Sequence, residues 1–384
     1  MPPPDAPLKM DPFQTVAREM KFLTGNIRQL LGSGHPTLDT VAKYYTQSEG
    51  KYVRPMLVLL MSRATALTPR GTRSATATAA GGSVDTPLTS PAILADQNPD
   101  TSPLSNSARD TAYTPDDSDI LPSQRRLAEI TELIHTASLL HDDVIDHSIS
   151  RRSAPSANIE FGNKMAVLAG DFLLGRASVA LARLRDPEVT ELLATVIANL
   201  VEGEFMQLKN TASDEKNPVW TEDALVYYLQ KTYLKSASLI SKSCRAAALL
   251  GGCSPEVVEK SYLYGKNLGL AFQLVDDMLD YTVSGEELGK PAGADLELGL
   301  ATAPLLFAWK EEGSLGRLVG RKFSGEGDVV RAREIVLAGS GLEQTRALAQ
   351  EYVDKAIEAI EGFPDSEAKD GLVDMCNKVL KRRK

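Results

Sequence analysis

Two segments of this chain place the same pattern of acids inside apolar sequence: His141-Asp142-Asp143-Val144-Ile145-Asp146 and Phe272-Gln273-Leu274-Val275-Asp276-Asp277-Met278-Leu279-Asp280. In a helix, Asp142 with Asp146, and Asp276 with Asp280, stack their carboxylates on one face. One such pair alone reads as a solvated acidic face. Two of them, each in sequence that otherwise reads as buried helix, do not, because buried carboxylates demand partners. The chain is therefore constrained to bring two acidic helices to a shared interior. Oxygen-only ligands of this kind suit Mg²⁺, which takes one or two carboxylates plus substrate phosphates. Facing each other across a bundle, the two motifs would hold several Mg²⁺ ions on a polyphosphate.

The surrounding sequence supplies that bundle. Leu127, Ile130, Ile134, Ala137 and Val144 recur at helical spacing, as do Leu239, Cys244, Ala247 and Leu250. The runs ELLATVIANLVEGEFMQL and TRALAQEYVDKAIEAIEGF are rich in helix formers. Two-residue alternation and hairpin dipeptides between β-branched runs are missing. The expected fold class is all-α, with roughly ten helices around one core. The exception is residues 68–124, where 17 Ser/Thr and 7 Pro occur with Tyr113 the only aromatic and no lysine. Such a stretch cannot bury enough apolar surface to offset its ordering entropy and reads as a disordered insertion within a single domain spanning 1–384.

Net charge of −9 argues against a nucleic-acid binder, which needs a basic stripe. No uninterrupted apolar stretch approaches the ~20 residues of a membrane span. Cys244, Cys253 and Cys376 lack paired spacing, which implies neither a disulfide framework nor a zinc cage and points to a reducing compartment. The opening MPPPDAPLKMDPF carries neither an apolar signal core nor an Arg/Ser-rich amphipathic presequence.

Cationic residues stand at sites suited to anions. Lys51 and Arg54 lie in GKYVRP, Arg151-Arg152 follow the first acidic motif, Lys231, Lys235 and Ser236 lie in QKTYLKSASLI, and Lys290 follows the second motif. Arginine forks fit phosphate oxygens, and lysine serves as a point charge. Any one of them alone reads as a surface charge; together they surround two metal-binding motifs. His135, His141 and His147 are spaced by six residues, about 240° apart on a helix, so they form no shared zinc site. His135 lies seven before Asp142 and shares its face, suiting it to donate to a phosphate.

In the order GKYVRP, HDDVIDHSISRR, KSASLI, FQLVDDMLD, GKPAGADL, these segments resemble the trans-isoprenyl diphosphate synthases, most closely the fungal mitochondrial long-chain enzymes that make the ubiquinone side chain. The resemblance spans nearly all of the chain outside 68–124, and the fungal members carry a similar Ser/Thr-rich insertion. It implies that Lys51, Arg54, His135 and Arg152 bind the diphosphate of isopentenyl diphosphate. Arg151, Lys235, Ser236, Gln273 and Lys290 would contact the allylic diphosphate. Asp142 and Asp146 would bind two Mg²⁺ and Asp276 with Asp280 a third, and Gln207 would lie near the allylic group. Asp142, Asp146, Lys235, Gln273 and Asp276 are the catalytic candidates. A homodimer, with a heteromer as the variant of it, and mitochondrial placement also follow from the resemblance, and a very apolar product motivates peripheral membrane association. Ser236 stands where many members have threonine, preserving the hydroxyl, and Leu300 where many short-chain members have lysine.

The implied reaction is head-to-tail condensation. Metal and basic residues draw charge onto the allylic diphosphate until its C–O bond ionises, and the isopentenyl double bond attacks the cation. No general base stands out near the motifs, and water has to be kept out. The helix before Asp142 implies a long product, without giving the number of units: Ala137 and Ser138 are small, as is Thr131, while Ile134 is larger. Eleven residues of helix span about 16 Å, room for several added isoprene units. A class I terpene cyclase shares an all-α fold and one acidic motif, but the second motif is intact here and Lys51 and Arg54 serve a second diphosphate. A His-Asp phosphohydrolase leaves the Asp276 motif unexplained. A non-catalytic subunit of a heteromeric synthase would be expected to have lost one motif or the arginine pair.

Overall fold

The computed structural model describes residues 11–30, 32–47, 52–71, 120–151, 154–209, 218–282 and 293–382. Among them, thirteen helices reach nine residues or more. They are α1 (Ala17–Leu30), α2 (Pro36–Gln47), α3 (Val53–Ala66), α4 (Pro122–Ile145), α5 (Asn163–Arg183), α6 (Pro187–Lys209) and α7 (Glu222–Thr232). After α7 come α8 (Ser238–Leu250), α9 (Pro255–Thr282), α10 (Ala303–Glu311), α11 (Asp328–Ala338), α12 (Gly341–Ala359) and α13 (Glu367–Leu380). The one sheet among the described residues is a hairpin, β1 (Ser150–Arg151) against β2 (Ala154–Pro155). The all-α expectation holds.

Local chemistry explains where helices start. Proline is the first residue of α2, α4, α6 and α9, where its fixed φ suits a helix and its missing N–H is no loss. The side chain of Gln124 accepts from the Leu121 N–H at 2.9 Å, closing the first turn of α4. Ser366 caps α13 by accepting from the Lys369 N–H.

The two acid-bearing helices sit at the centre. α4 packs on α5, α3, α8 and α1, and α9 on α12 and α8. Leu127, Ile130, Ile134 and Ala137 of α4 are fully buried, and so are Cys244, Ala247 and Leu250 of α8. Each buried Leu or Ile contributes roughly 1.5–3 kcal/mol. Val144, nearer the end of α4, is half-buried. α5 has the length and apolar composition of a membrane span, yet it lies against α4 through Ala166, Ala169, Leu173 and Ala177. Its other face leaves Met165, Leu168 and Val179 exposed.

The two flanks of the Ser/Thr-rich segment belong to the fold. Gly71 N–H donates to Gly252 O at 3.0 Å and Ser254 N–H to Pro69 O at 3.0 Å. Ile120 is buried in the core, and Gln124 donates to Ala247 O. Thr68 and Ile120 succeed here because each finds a buried niche against the α8–α9 turn or α4, which composition averaged over 57 positions does not register. Residues 72–119 lie outside the described residues.

Candidate active site

The first acidic motif is the last turn of α4. Asp142 and Asp146 are half-buried, and the Asp146 N–H closes the helix on Asp142 O at 2.8 Å. His147 follows with φ 51°, a left-handed residue that stops the helix and turns the chain into the β1–β2 hairpin. The hairpin returns Arg151 to the motif. Its Nε and Nη2 donate to Asp143 Oδ1 at 2.9 and 2.7 Å. Asp143 is fully buried and its Oδ2 accepts from the Tyr45 hydroxyl of α2. His141 does not pair with Asp142: its Nε2 lies 3.2 Å from Val167 O and 3.5 Å from Asp171 on α5, where Gly170 leaves room for the ring.

Between α7 and α8 the helix widens into a π-turn, Tyr233–Ala237, a distortion that favours functional sites. It is clasped by two glycines. A Cβ on Gly203 of α6 would meet the Lys235 backbone N at 3.0 Å, and one on Gly269 of α9 would meet Ala237 Cα at 2.7 Å. The turn thus presents Lys235 and Ser236 inward. Lys235 Nζ pairs with buried Glu204 of α6 at 2.5 Å. Burial pushes Asp142 up to about 6, opposed by Lys235 and reinforced by Glu204 and Asp146. Asp146 is raised by the same causes, burial first. Burial alone would lower Lys235, but Asp142, Glu204 and Asp146 outweigh it and raise it. Three carboxylates thus crowd one ammonium, a donor set with capacity for added cations.

The second motif lies on α9, opposite the π-turn. Ser236 Oγ donates to Gln273 Oε1 at 2.8 Å, and Gln273 Nε2 donates to Asp277 Oδ1 at 2.8 Å. Asp277 is buried and also accepts from the Tyr228 hydroxyl of α7; burial raises it. Asp276 is half-exposed, with Arg382 Nη1 at 3.4 Å from its Oδ1 and the Arg382 guanidinium over the Phe272 ring at 4.2 Å. Asp280 is fully buried, and its Oδ2 accepts from the Asp295 N–H at 3.2 Å.

A cleft joins the end of the first motif to the π-turn and the second, lined by Asp146, Gln207, Lys231, Lys235, Ser236, Gln273, Asp277, Asp295 and Leu300. Arg54 of α3 and His135 of α4 meet at 2.9 Å. Lys51, Arg152 and Lys290 lie outside the described residues. Ala137 is fully buried, Ser138 half-buried with its hydroxyl on His135 O, and Thr131 bonds Ser243 of α8. No group of three or more His, Cys, Asp or Glu among the described residues is arranged to hold a metal unaided. Glu204, Tyr45, Tyr228 and Arg382 were not singled out in the sequence. Only Glu204 had a signal, an acid at an otherwise apolar-helix position in VEGEFMQL.

A sequence model of the polyprenyl synthetase family matches residues 103–336. The chain belongs to the polyprenyl synthetase family. The synthase is 74% identical over 377 residues to a Neurospora crassa protein named probable hexaprenyl pyrophosphate synthase, mitochondrial, covering 98% of this chain and 82% of that one. Against the mitochondrial hexaprenyl pyrophosphate synthase of Saccharomyces cerevisiae it is 47% identical, covering 97% and 91%. A polyprenyl synthase from Caulobacter crescentus, solved with calcium and isoprenyl diphosphate, is similar throughout both chains at TM-score 0.76 and 29% identity. The synthase is a trans-prenyltransferase, and by resemblance to these relatives its place is the mitochondrion.

Proposed function

We propose that the synthase condenses isopentenyl diphosphate units onto an allylic diphosphate to make a long all-trans polyprenyl diphosphate, the ubiquinone side chain, in a Mg²⁺-dependent reaction. The carrying observation is the single cleft that joins Asp146 of one motif to Lys235, Ser236 and Gln273 beside the other. Asp142, Asp146 and Asp276 are the candidate metal ligands; Asp280, which the sequence pairs with Asp276 on the third ion, is fully buried with one oxygen on the Asp295 N–H, and its role here is to support that turn. Up to three Mg²⁺ ions would neutralise charge on the departing diphosphate. The calcium and isoprenyl diphosphate in the Caulobacter relative support a divalent cation at such a site.

The residues then have distinct tasks. Lys235 and Arg151 receive the allylic diphosphate, while Ser236 and Gln273 orient it by hydrogen bonds. Arg54 with His135 receives isopentenyl diphosphate beside α4, with Lys51 and Arg152 as further donors, and Lys290 joins the allylic set. Ala137 and Ser138 let the growing tail pass along α4. Hexaprenyl diphosphate is the first product to look for, given the names of the fungal relatives.

A homodimer fits the exposed apolar faces of α5 and α6, where Met165, Leu168, Val179, Val201, Phe205 and Leu208 are uncovered. Phe205→Glu would then give a monomer by light scattering; a wild type already monomeric would refute it and favour a heteromer. The apolar product also motivates peripheral membrane association, which a protein wholly soluble without salt or detergent would refute. The decisive experiment for function incubates pure protein with Mg²⁺, labelled isopentenyl diphosphate and farnesyl diphosphate, and sizes the dephosphorylated products. A ladder ending in a long polyprenol supports the proposal; phosphate release or cyclic hydrocarbon without elongation overturns it.

A further inference from the structure

The central aspartates of the two motifs differ from their neighbours in one shared respect. Asp143 and Asp277 are both buried, and each accepts a hydroxyl proton from a tyrosine on another helix, Tyr45 on α2 and Tyr228 on α7. Each also holds a polar residue beside its motif, Arg151 next to Asp142 and Asp146, and Gln273 in the lining of the cleft. Asp143 Oδ1 takes Nε and Nη2 of Arg151, and Asp277 Oδ1 takes Nε2 of Gln273. In both cases the two carboxylate oxygens divide the labour, one on the tyrosine and one on the positioned residue.

We propose that Asp143 and Asp277 are positioning residues and not metal ligands, that they orient Arg151 and Gln273 toward the allylic diphosphate, and that the Tyr45 and Tyr228 hydroxyls hold the two carboxylates in place. The inference rests on the reading of the cleft as the diphosphate site.

The hydrogen-bond inventory forces the orientations. With Nε and Nη2 committed to Asp143, the Nη1 edge of Arg151 is what a phosphate oxygen receives. A carboxylate accepts only, so Gln273 must turn its NH₂ to Asp277 and its carbonyl to Ser236, whose hydroxyl therefore donates. Without Asp277 the amide could rotate and present the wrong atom. Tyr45 is itself fixed, because its oxygen accepts from the Ala157 N–H at 2.8 Å, just past the hairpin that carries Arg151. Asp143 is closed by three donors and has no exposed surface, so a metal would have to displace partners already bound.

Tyr45→Phe and Tyr228→Phe remove one hydroxyl each and keep the ring. Both are expected to raise KM for farnesyl diphosphate about tenfold, the lower range of a hydrogen bond to a charged group, with KM for isopentenyl diphosphate within about twofold of wild type. The double variants decide whether the effect passes through the positioned residue. In an Arg151→Ala background Tyr45→Phe should add nothing further to KM, and likewise Tyr228→Phe in Gln273→Ala. Additive effects, or a fall in thermal midpoint with KM unchanged, overturn the inference. If Tyr45→Phe does not fold, the Tyr228 cycle alone carries the test. A wild type that elongates no allylic diphosphate would instead overturn the proposed function, so the two failures are distinguishable.

Discussion

Gly269→Ala isolates what the contact between α9 and the π-turn does. The added methyl would sit 2.7 Å from both Ala237 Cα and Cβ, against the ~3.5–4.0 Å at which carbons rest. α9 therefore has to withdraw by about 1 Å, since backbone cannot swing aside as a side-chain tip does. Overpacking of this size costs about 1–3 kcal/mol, and replacing a helical glycine returns about 1 kcal/mol. The net loss of stability is small, about 0–2 kcal/mol. Turnover behaves otherwise. The Ser236–Gln273 bond is 2.8 Å long, and a 1 Å withdrawal takes it beyond hydrogen-bonding distance; displacements of that order can cost ~10²-fold in rate. The expected signature is a fold retained by circular dichroism, a modest shift in urea midpoint and a rate of polyprenyl formation down about 100-fold. Gly25→Ala is the control: it lies in α1 with nothing within 4 Å of the added carbon, and is expected to stabilise slightly without changing the rate. Gly269→Ala with turnover within threefold of wild type would refute the account, as would a rate loss that merely tracks unfolding.

Three further expectations follow. Because burial, with Glu204 and Asp146, raises folded Asp142 to about 6 from 3.8, the metal-free protein should lose stability as pH rises from about 4 through 6, by up to ~3 kcal/mol. Mg²⁺ should restore it and Asp142→Asn should flatten the profile in urea unfolding; an unchanged slope in the variant would exclude Asp142 as the source. Glu204→Gln removes the partner of Lys235 and should lower kcat/KM at least about tenfold with circular dichroism unchanged; wild-type kinetics would show that Glu204 is dispensable. All three cysteines are buried, and burial pushes Cys244 and Cys376 up to about 12. Native protein should therefore leave Ellman's reagent uncoloured and give three thiols after guanidinium; rapid native reaction would contradict the packing.

How much of this was legible in the sequence depends on how local the cause is. The Asp142–Asp146 and Asp276–Asp280 pairs, and the placing of Gln273 one turn before Asp277, follow from helical spacing alone. The meeting of Arg54 with His135 did not need spacing, since family resemblance put both on one substrate. What escaped depends on partners far along the chain. Tyr45 is 98 residues from Asp143, and Tyr228 is 49 from Asp277, and neither motif predicts a tyrosine. Asp143 is one residue off the Asp142–Asp146 stripe, and Asp277 shares a side with Gln273 and Asp280, so spacing could not say which partner each carboxylate holds. The Glu204–Lys235 pair depends on the π-turn, and hydrophobic periodicity carries no mark of a single widened turn. The flanks at 68–71 and 120–124 were misjudged for a related reason. Their order comes from contacts with the Gly251–Ser254 turn and with the core, not from their own composition.

Residues 222–250 run as one continuous helical rod with the π-turn in its middle. A π-turn closes i→i+5 where an α-turn closes i→i+4, so it houses one residue more than the rod needs. The wider turn absorbs that residue, so the two halves keep a common phase in space while their numbering is offset by one position. Excising a single codon anywhere in 233–237 would let the rod relax into uninterrupted α-helix. The segment would gain locally and still lose its purpose, because the flanking halves would keep their phase while the widened turn that presents Lys235 and Ser236 to the cleft would be gone. Point substitution and deletion therefore sample different liabilities here. A screen confined to substitutions would find Lys235 and Ser236 and miss that the length of this turn, as well as its composition, is what the site depends on.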